Sequence, residues 1–249
     1  MRYEALSDIG NVRKVNEDFL GAELLDVSGR PTGIFVIADG MGGHNKGELA
    51  SKIAVENTIN LLKEKIKQGY SDDNPAFIIE SIIKSYEDSN SKIIKMASSN
   101  EEYKGMGTTL TTAVILHNRL YIGNVGDSRC YIFRGNRLER LTNDNSLVQE
   151  LVFKGLITED EARVHPQRNL ITRAVGLDEV LKVDIYEKEV AKGDQILLTT
   201  DGLTSMISSE DIQSVLTSSE SITKNCTVLV EKAKTNGGSD NISVINILI

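Results

Sequence analysis

Aspartate recurs wherever this chain is equipped for chemistry. An apolar run from Gly33 to Ala38 leads into Asp39-Gly40, a second from Gln195 to Thr200 leads into Asp201-Gly202, and Asp240-Asn241 stands just before the run ISVINILI. Each places a carboxylate at a strand end. A lone Asp-Gly is an ordinary hairpin signal, because glycine supplies positive φ and aspartate caps its own backbone. Asp39-Gly40 differs, since Met41-Gly42-Gly43-His44 and then a helical pattern follow; the glycines there leave the backbone open to close approach rather than reverse the chain. Asp127, in Gly126-Asp127-Ser128-Arg129, lies between two strand-like runs and alone reads as a plain hairpin connection. If these carboxylates converge, mutual repulsion raises their pKa values and opposes folding unless a cation offsets it. Convergence therefore implies a divalent metal. All-oxygen donors select magnesium, manganese or calcium over zinc.

Other chemistries fail on the letters. A nucleophilic cysteine acting on phosphate needs an arginine at fixed spacing after it, and Asn136 and Lys232 occupy that position after Cys130 and Cys226. The two cysteines read as small core residues instead. Glycines between Gly40 and Gly47 suggest a phosphate cradle, yet Asn45 stands where a dinucleotide fingerprint ends in glycine, and Glu48 where a P-loop has lysine. No HExxH occurs, and His44, His117 and His165 are too dispersed to compose a zinc site. His117 reads as a turn residue.

The elements that must position the aspartates follow from periodicity. The chain has 249 residues, 40% of them hydrophobic, enough for one large domain. Its 36 acidic and 28 basic residues give a net charge of -8, the wrong sign for gripping a phosphodiester backbone, so nucleic acid is not an expected partner. Arg2, Glu4, Asp8, Arg13, Lys14, Glu17 and Asp18 interrupt any signal-peptide core, and the apolar runs are too short to span a bilayer. A cytoplasmic protein with no membrane partner is expected. Gly33 to Ala38 suits a strand buried on both faces. Glu48 to Gln68 reads as a helix stopped by Gly69, and after Pro75 the positions Ile79, Ile82, Ile83, Tyr86, Ile93, Ile94 and Ala97 form an apolar stripe. TTLTTAVIL, LYIGNV and CYIF read as a meander of successive antiparallel strands. Thr158 with Glu161 predicts a capping box, inside an excursion from Asn143 to Gly176 that lacks regular apolar alternation. Helices follow, one begun by Ser208 and one with Ile222, Cys226, Leu229 and Ala233 on a face, closed by Asn236-Gly237. Strands in blocks with helices segregated between them predict an α+β fold with mainly antiparallel sheet.

In order, the segments SDIGNVRKVNEDF, VIADGMGGH, GMGTTL, GNVGDSR, LTNDNS, HPQRNLITRAVG, LLTTDGL and SDNISV resemble the successive motifs of the bacterial metal-dependent type-2C protein serine/threonine phosphatases, over nearly the whole chain. The resemblance implies a four-layer α-β-β-α sandwich, with residues 1–249 as one phosphatase domain and the excursion at about 143–176 as its substrate-side flap. It implies hydrolysis of phosphoserine and phosphothreonine by a water bridging two magnesium or manganese ions, without a phosphoenzyme. Asp39 would bridge both ions, Asp201 and Asp240 would complete the first, and the Gly40 carbonyl would serve the second. Glu17 would hold metal-bound water with Asp18 in support, Arg13 would bind phosphate, and Asp127 would join Asp201 at a third ion. A guanidinium fork matches phosphate oxygens better than an ammonium does. Implied partners are phosphorylated proteins and a bacterial serine/threonine kinase sharing them, and a monomer is the default. Two positions depart from the wider pattern. Met41 stands where animal and plant members carry a histidine proposed as general acid, which leaves that role unassigned, with His44 expected to support the loop. Asn145 replaces a histidine common in bacterial relatives, and a neutral amide does not titrate as imidazole does; only a local effect on the excursion is expected.

Overall fold

The structure is a computed structural model that describes residues 1–27, 29–42, 46–69, 75–218 and 221–249. Two sheets lie face to face. The first takes the order β1 (Arg2–Asp8), β11 (Ile242–Leu248), β10 (Gln195–Thr199), β7 (Arg129–Arg134), β8 (Arg137–Arg140). The second takes the order β2 (Asp18–Val27), β3 (Arg30–Met41), β5 (Leu110–Leu116), β6 (Arg119–Val125), β9 (Asp184–Glu189), with β4 (Gly107–Thr108) added at the end of β3. All the pairings are antiparallel. Helices α1 (Lys46–Gly69) and α2 (Pro75–Ser99) cover the second sheet. Helices α5 (Asp201–Thr204), α6 (Ser209–Ser218) and α7 (Ile222–Thr235) cover the first. The fold is the expected α+β, four-layer α-β-β-α sandwich. Among the described residues no helix is long and apolar enough to cross a membrane.

Period-two alternation explains the layers. On β3, Ile34, Val36 and Ala38 face the α1–α2 layer, while Phe35 and Ile37 face the other sheet. On β7, Cys130 and Ile132 point between the sheets, and Tyr131 and Phe133 point to the α5–α7 layer. A continuous apolar run is therefore two interleaved faces, each with its own core. Both cysteines are buried, Cys226 on the inner face of α7.

The meander expected beyond Gly107 breaks once. β5 and β6 form the hairpin, with His117 at φ 56° in its turn, but β6 and β7 do not pair. β7 lies in the opposite sheet beside β10. Gly126-Asp127-Ser128 is therefore a crossing between sheets, not the ordinary hairpin its letters suggest. The α2 stripe is also rotated from its apolar pattern: Ile79, Ile83 and Ile94 only flank the buried face, whose middle includes Ser81, Ser85 and Ser89. Their hydroxyls return to carbonyls of the same helix, which lets serine be buried.

Between β8 and β9 the chain leaves both sheets and forms α3 (Leu147–Phe153) and α4 (Glu159–Val164). Thr158 and Glu161 make the expected capping box. Ser208 caps α6 in the same way, its side chain and the Asp211 carboxylate each accepting from the other's amide.

Candidate active site

The site lies where strand ends of both sheets meet. The start of β2 pairs with the end of the antiparallel β3, so Asp18 stands directly opposite Asp39. The Asp39 amide donates to Thr109 Oγ1 at 2.8 Å, its carbonyl accepts from the Thr109 amide at 2.9 Å and the Thr108 hydroxyl at 2.9 Å. The Gly40 amide donates to the Glu17 carbonyl at 3.1 Å. Gly40 and Gly47 press together, and a side chain on either would collide with the other's backbone. The glycines thus serve close approach, as expected. His44 lies outside the described residues.

On the other sheet, Asp201 opens α5 after β10, and Asp240 precedes β11. Gly202 packs on the Asn241 carbonyl so closely that a Cβ would clash. That contact brings Asp201 beside Asp240. Asp127 sits on the crossing between sheets, its neighbour Ser128 hydrogen-bonded at 2.8 Å to the same Thr109 hydroxyl that holds Asp39. Asp18, Asp127, Asp201 and Asp240, from three parts of the fold, therefore lie close enough to Asp39 to act on its charge.

Their electrostatics show the strain of that gathering. Asp39 is held well above the usual carboxylate range by burial and by facing Asp18, Asp201, Asp127 and Asp240. Asp127 is raised by burial and by Asp201 and Asp144, against Arg129, which opposes the shift. Asp201 is raised by burial and by Asp240. Asp18 is pushed up to about 7, chiefly by burial. Thr200 donates to one of its oxygens at 2.9 Å.

Two buried oxygens, Asp18 Oδ1 and Asp201 Oδ1, have no hydrogen-bond partner among the described residues. A buried acceptor left unpaired is costly, and a hard cation is the partner such oxygens suit. Among the described residues no three His, Cys, Asp or Glu side chains close around a single point tightly enough to cage an ion. Carboxylate and carbonyl oxygens suit magnesium or manganese, hard ions that keep several waters and take one or two carboxylates each. The donor set fits the implied ions.

Arg13 and Asp240 are each other's partner, Nη2 to Oδ2 at 2.7 Å, and Asp240 Oδ1 accepts from the Asn241 amide at 2.9 Å. Glu17 Oε1 accepts from the Gly47 amide at 3.2 Å in the first turn of α1, so it caps that helix from the edge of the site. The loop carrying Arg13 and Glu17 is fastened by Asn241, whose role the letters do not disclose. Its Oδ1 accepts from the Glu17 amide at 2.8 Å, and its Nδ2 donates to the carbonyls of Ile9 and Val15, each at 3.0 Å. Thr109 and Thr200 were likewise legible only as strand formers. A cleft of about 320 Å³ opens from Asp127 and Asp201 between the α3–α4 excursion and α5–α6, with Arg163 and Arg168 among its lining residues.

Comparison with known proteins agrees with this geometry. Residues 13–235 match the family described as Protein phosphatase 2C. The chain is 35% identical over 245 residues to "Serine/threonine phosphatase stp" of Listeria welshimeri, covering 98% of this chain and 94% of that one. It is 36% identical over 245 residues to "Protein phosphatase PhpP" of Streptococcus pneumoniae, covering 98% and 96%. The serine/threonine phosphatase of S. agalactiae superposes with a TM-score of 0.88 at 34% identity, over 100% of this chain and 99% of that one. The catalytic domain of the serine/threonine protein phosphatase PstP, solved in complex with 2 manganese ions, superposes with a TM-score of 0.81 at 34% identity, over 98% and 96%. Carboxylates gathered at the junction of two sheets, a match across most of the chain and these relatives lead to one assignment: the chain belongs to the bacterial branch of the protein phosphatase 2C family, the metal-dependent serine/threonine protein phosphatases.

Proposed function

We propose that this phosphatase hydrolyses phosphoserine and phosphothreonine in proteins by direct attack of water, with no phosphoenzyme, and that Asp39 is its central ligand. The observation that carries this reading is the facing set Asp18, Asp39, Asp127, Asp201 and Asp240, with two buried carboxylate oxygens that no donor among the described residues satisfies. Asp39, Asp201, Asp240 and the Gly40 carbonyl would hold two magnesium or manganese ions, and Asp127 with Asp201 a third. When bound, such ions lower the pKa of water and offset the charge of the phosphoryl group. Glu17 and Asp18 orient water at the edge of this set. Arg13 turns its guanidinium from Asp240 to the phosphate oxygens, a move its half-exposed side chain permits. The role of leaving-group acid is left unassigned: Met41 cannot donate a proton. The excursion from Asn143 to Gly176 forms one wall of the cleft and acts as the substrate-side flap. Each chain carries all these residues, so one copy suffices. A serine/threonine kinase acting on the same proteins is the matching partner.

The test is hydrolysis of p-nitrophenyl phosphate and of a phosphothreonine peptide with manganese, repeated after full chelation. Activity that survives chelation overturns the metal reading. Asp39→Asn is expected to abolish turnover, and wild-type turnover in that variant removes the bridging role.

A further inference from the structure

The crossing that carries Asp127 is held by a residue of the excursion, and that contact reaches further than the local effect expected of Asn145. Asn145 is 3% exposed. It grips the Gly126 peptide from both sides: its amide donates to the Gly126 carbonyl at 2.8 Å, and its Oδ1 accepts from the Gly126 amide at 2.9 Å. Its Nδ2 donates to Asp184 Oδ2 at 2.9 Å, at the start of β9. Its own carbonyl accepts from the Thr172 amide at 2.7 Å, where the excursion returns. Asp184 is fixed in turn by Arg173, through two bonds of 3.0 and 2.6 Å. The Asn145 carboxamide thus joins the Gly126 amide to the edge strand of one sheet, while its backbone holds the Gly126 carbonyl and the returning end of the excursion.

We infer that Asn145 is the positioning residue for Asp127, so that the placement of the excursion and the affinity of the Asp127-dependent ion are set together. The position needs a side chain with one acceptor and one donor, which asparagine supplies. A carboxylate at this position could accept from Gly126 but not donate to Asp184, and an aliphatic side chain could do neither. Residues that orient a ligand from behind typically change metal affinity by about 10- to 100-fold. The inference rests on the reading of Asp127 as a ligand.

The experiment is a calorimetric titration of metal-free protein with Mn²⁺ alone. Asp127→Ala identifies the binding event that depends on Asp127. Asn145→Ala is expected to weaken that same event by about 10- to 100-fold, leaving the events abolished by Asp39→Asn at wild-type affinity. Asn145→Asp should weaken it as well, and adding Asp184→Asn should restore it toward wild type by returning one donor and one acceptor to the pair. Wild-type affinity at the Asp127-dependent event in Asn145→Ala overturns the inference, as does an equal loss at every event, which marks a general structural role. If Asp127→Ala binds Mn²⁺ as the wild type does, the ligand reading of Asp127 falls and this inference with it, while the Asp39 reading stands.

Discussion

Asn241 holds the loop of Arg13 and Glu17 by hydrogen bonds to backbone groups of Ile9, Val15 and Glu17 while touching none of the reacting groups. Asn241→Ala removes all these bonds from a buried position and is expected to destabilise the protein by about 2–3 kcal/mol, read by urea unfolding. Displacement of Arg13 should lower kcat/KM on a phosphopeptide by on the order of 10²-fold. Retained kcat/KM in a folded Asn241→Ala would show that the loop is positioned by other contacts. At this scale the aspartates were legible, because a carboxylate after an apolar run has few reasons to be there. The groups that aim them were not. Thr109, Thr200 and Asn241 act through contacts with residues remote in sequence, and their types serve equally well as strand formers or turn residues. Asp127 was ambiguous for a related reason: a hairpin and a crossing between sheets use the same small polar letters, and only pairing partners distinguish them.

The helices were legible as helices, their faces less so. Periodicity marks α2 by its isoleucines, yet the small serines at its buried face let it approach close enough for Tyr86 to reach the sheet beneath. The Tyr86 hydroxyl lies 2.8 Å from the Gly123 carbonyl and 3.0 Å from Thr112 Oγ1. Tyr86→Phe is expected to lower stability by about 1 kcal/mol. Gly123→Ala should be worse, since a Cβ there would come within 2.5 Å of Ile82 Cγ2 and 3.2 Å of the Tyr86 ring, an overpacking that costs about 1–3 kcal/mol. Thermal unfolding of the two variants checks the order. A Gly123→Ala protein as stable as wild type would show that α2 can shift away from the sheet. Strand existence was legible too, whereas the sheet each strand joins was not: runs that are apolar on both faces fit either sheet equally well, as β6 and β7 show.

At the scale of the whole molecule, the gathered carboxylates make stability depend on pH and metal together. Asp18, pushed up to about 7 in the folded protein, titrates near 3.9 when unfolded. The folded state therefore binds the extra proton between those values, and metal-free stability is greatest at the acid end of that window and declines as pH rises through about 7. Asp39, Asp127 and Asp201 are shifted in the same direction. Ions that take the place of those protons should cancel the decline, so chelation is expected to lower Tm more at pH 8 than at pH 5. Equal chelator effects at both pH values would contradict a site of this kind.

The carboxylates come from two sheets and from the crossing between them, so neither half of the sandwich holds a working site by itself. Asp18 and Asp39 belong to one sheet, Asp201 and Asp240 adjoin strands of the other, and β11 closes its sheet between β1 and β10. A chain emerging from the ribosome can pair β2, β3, β5 and β6 well before Asp240 and β11 are made. Until then it has neither the full set of ligands proposed above nor the partner of Arg13. On that proposal synthesis imposes its own timing: the nascent protein gains activity only once β11 has been made and docked.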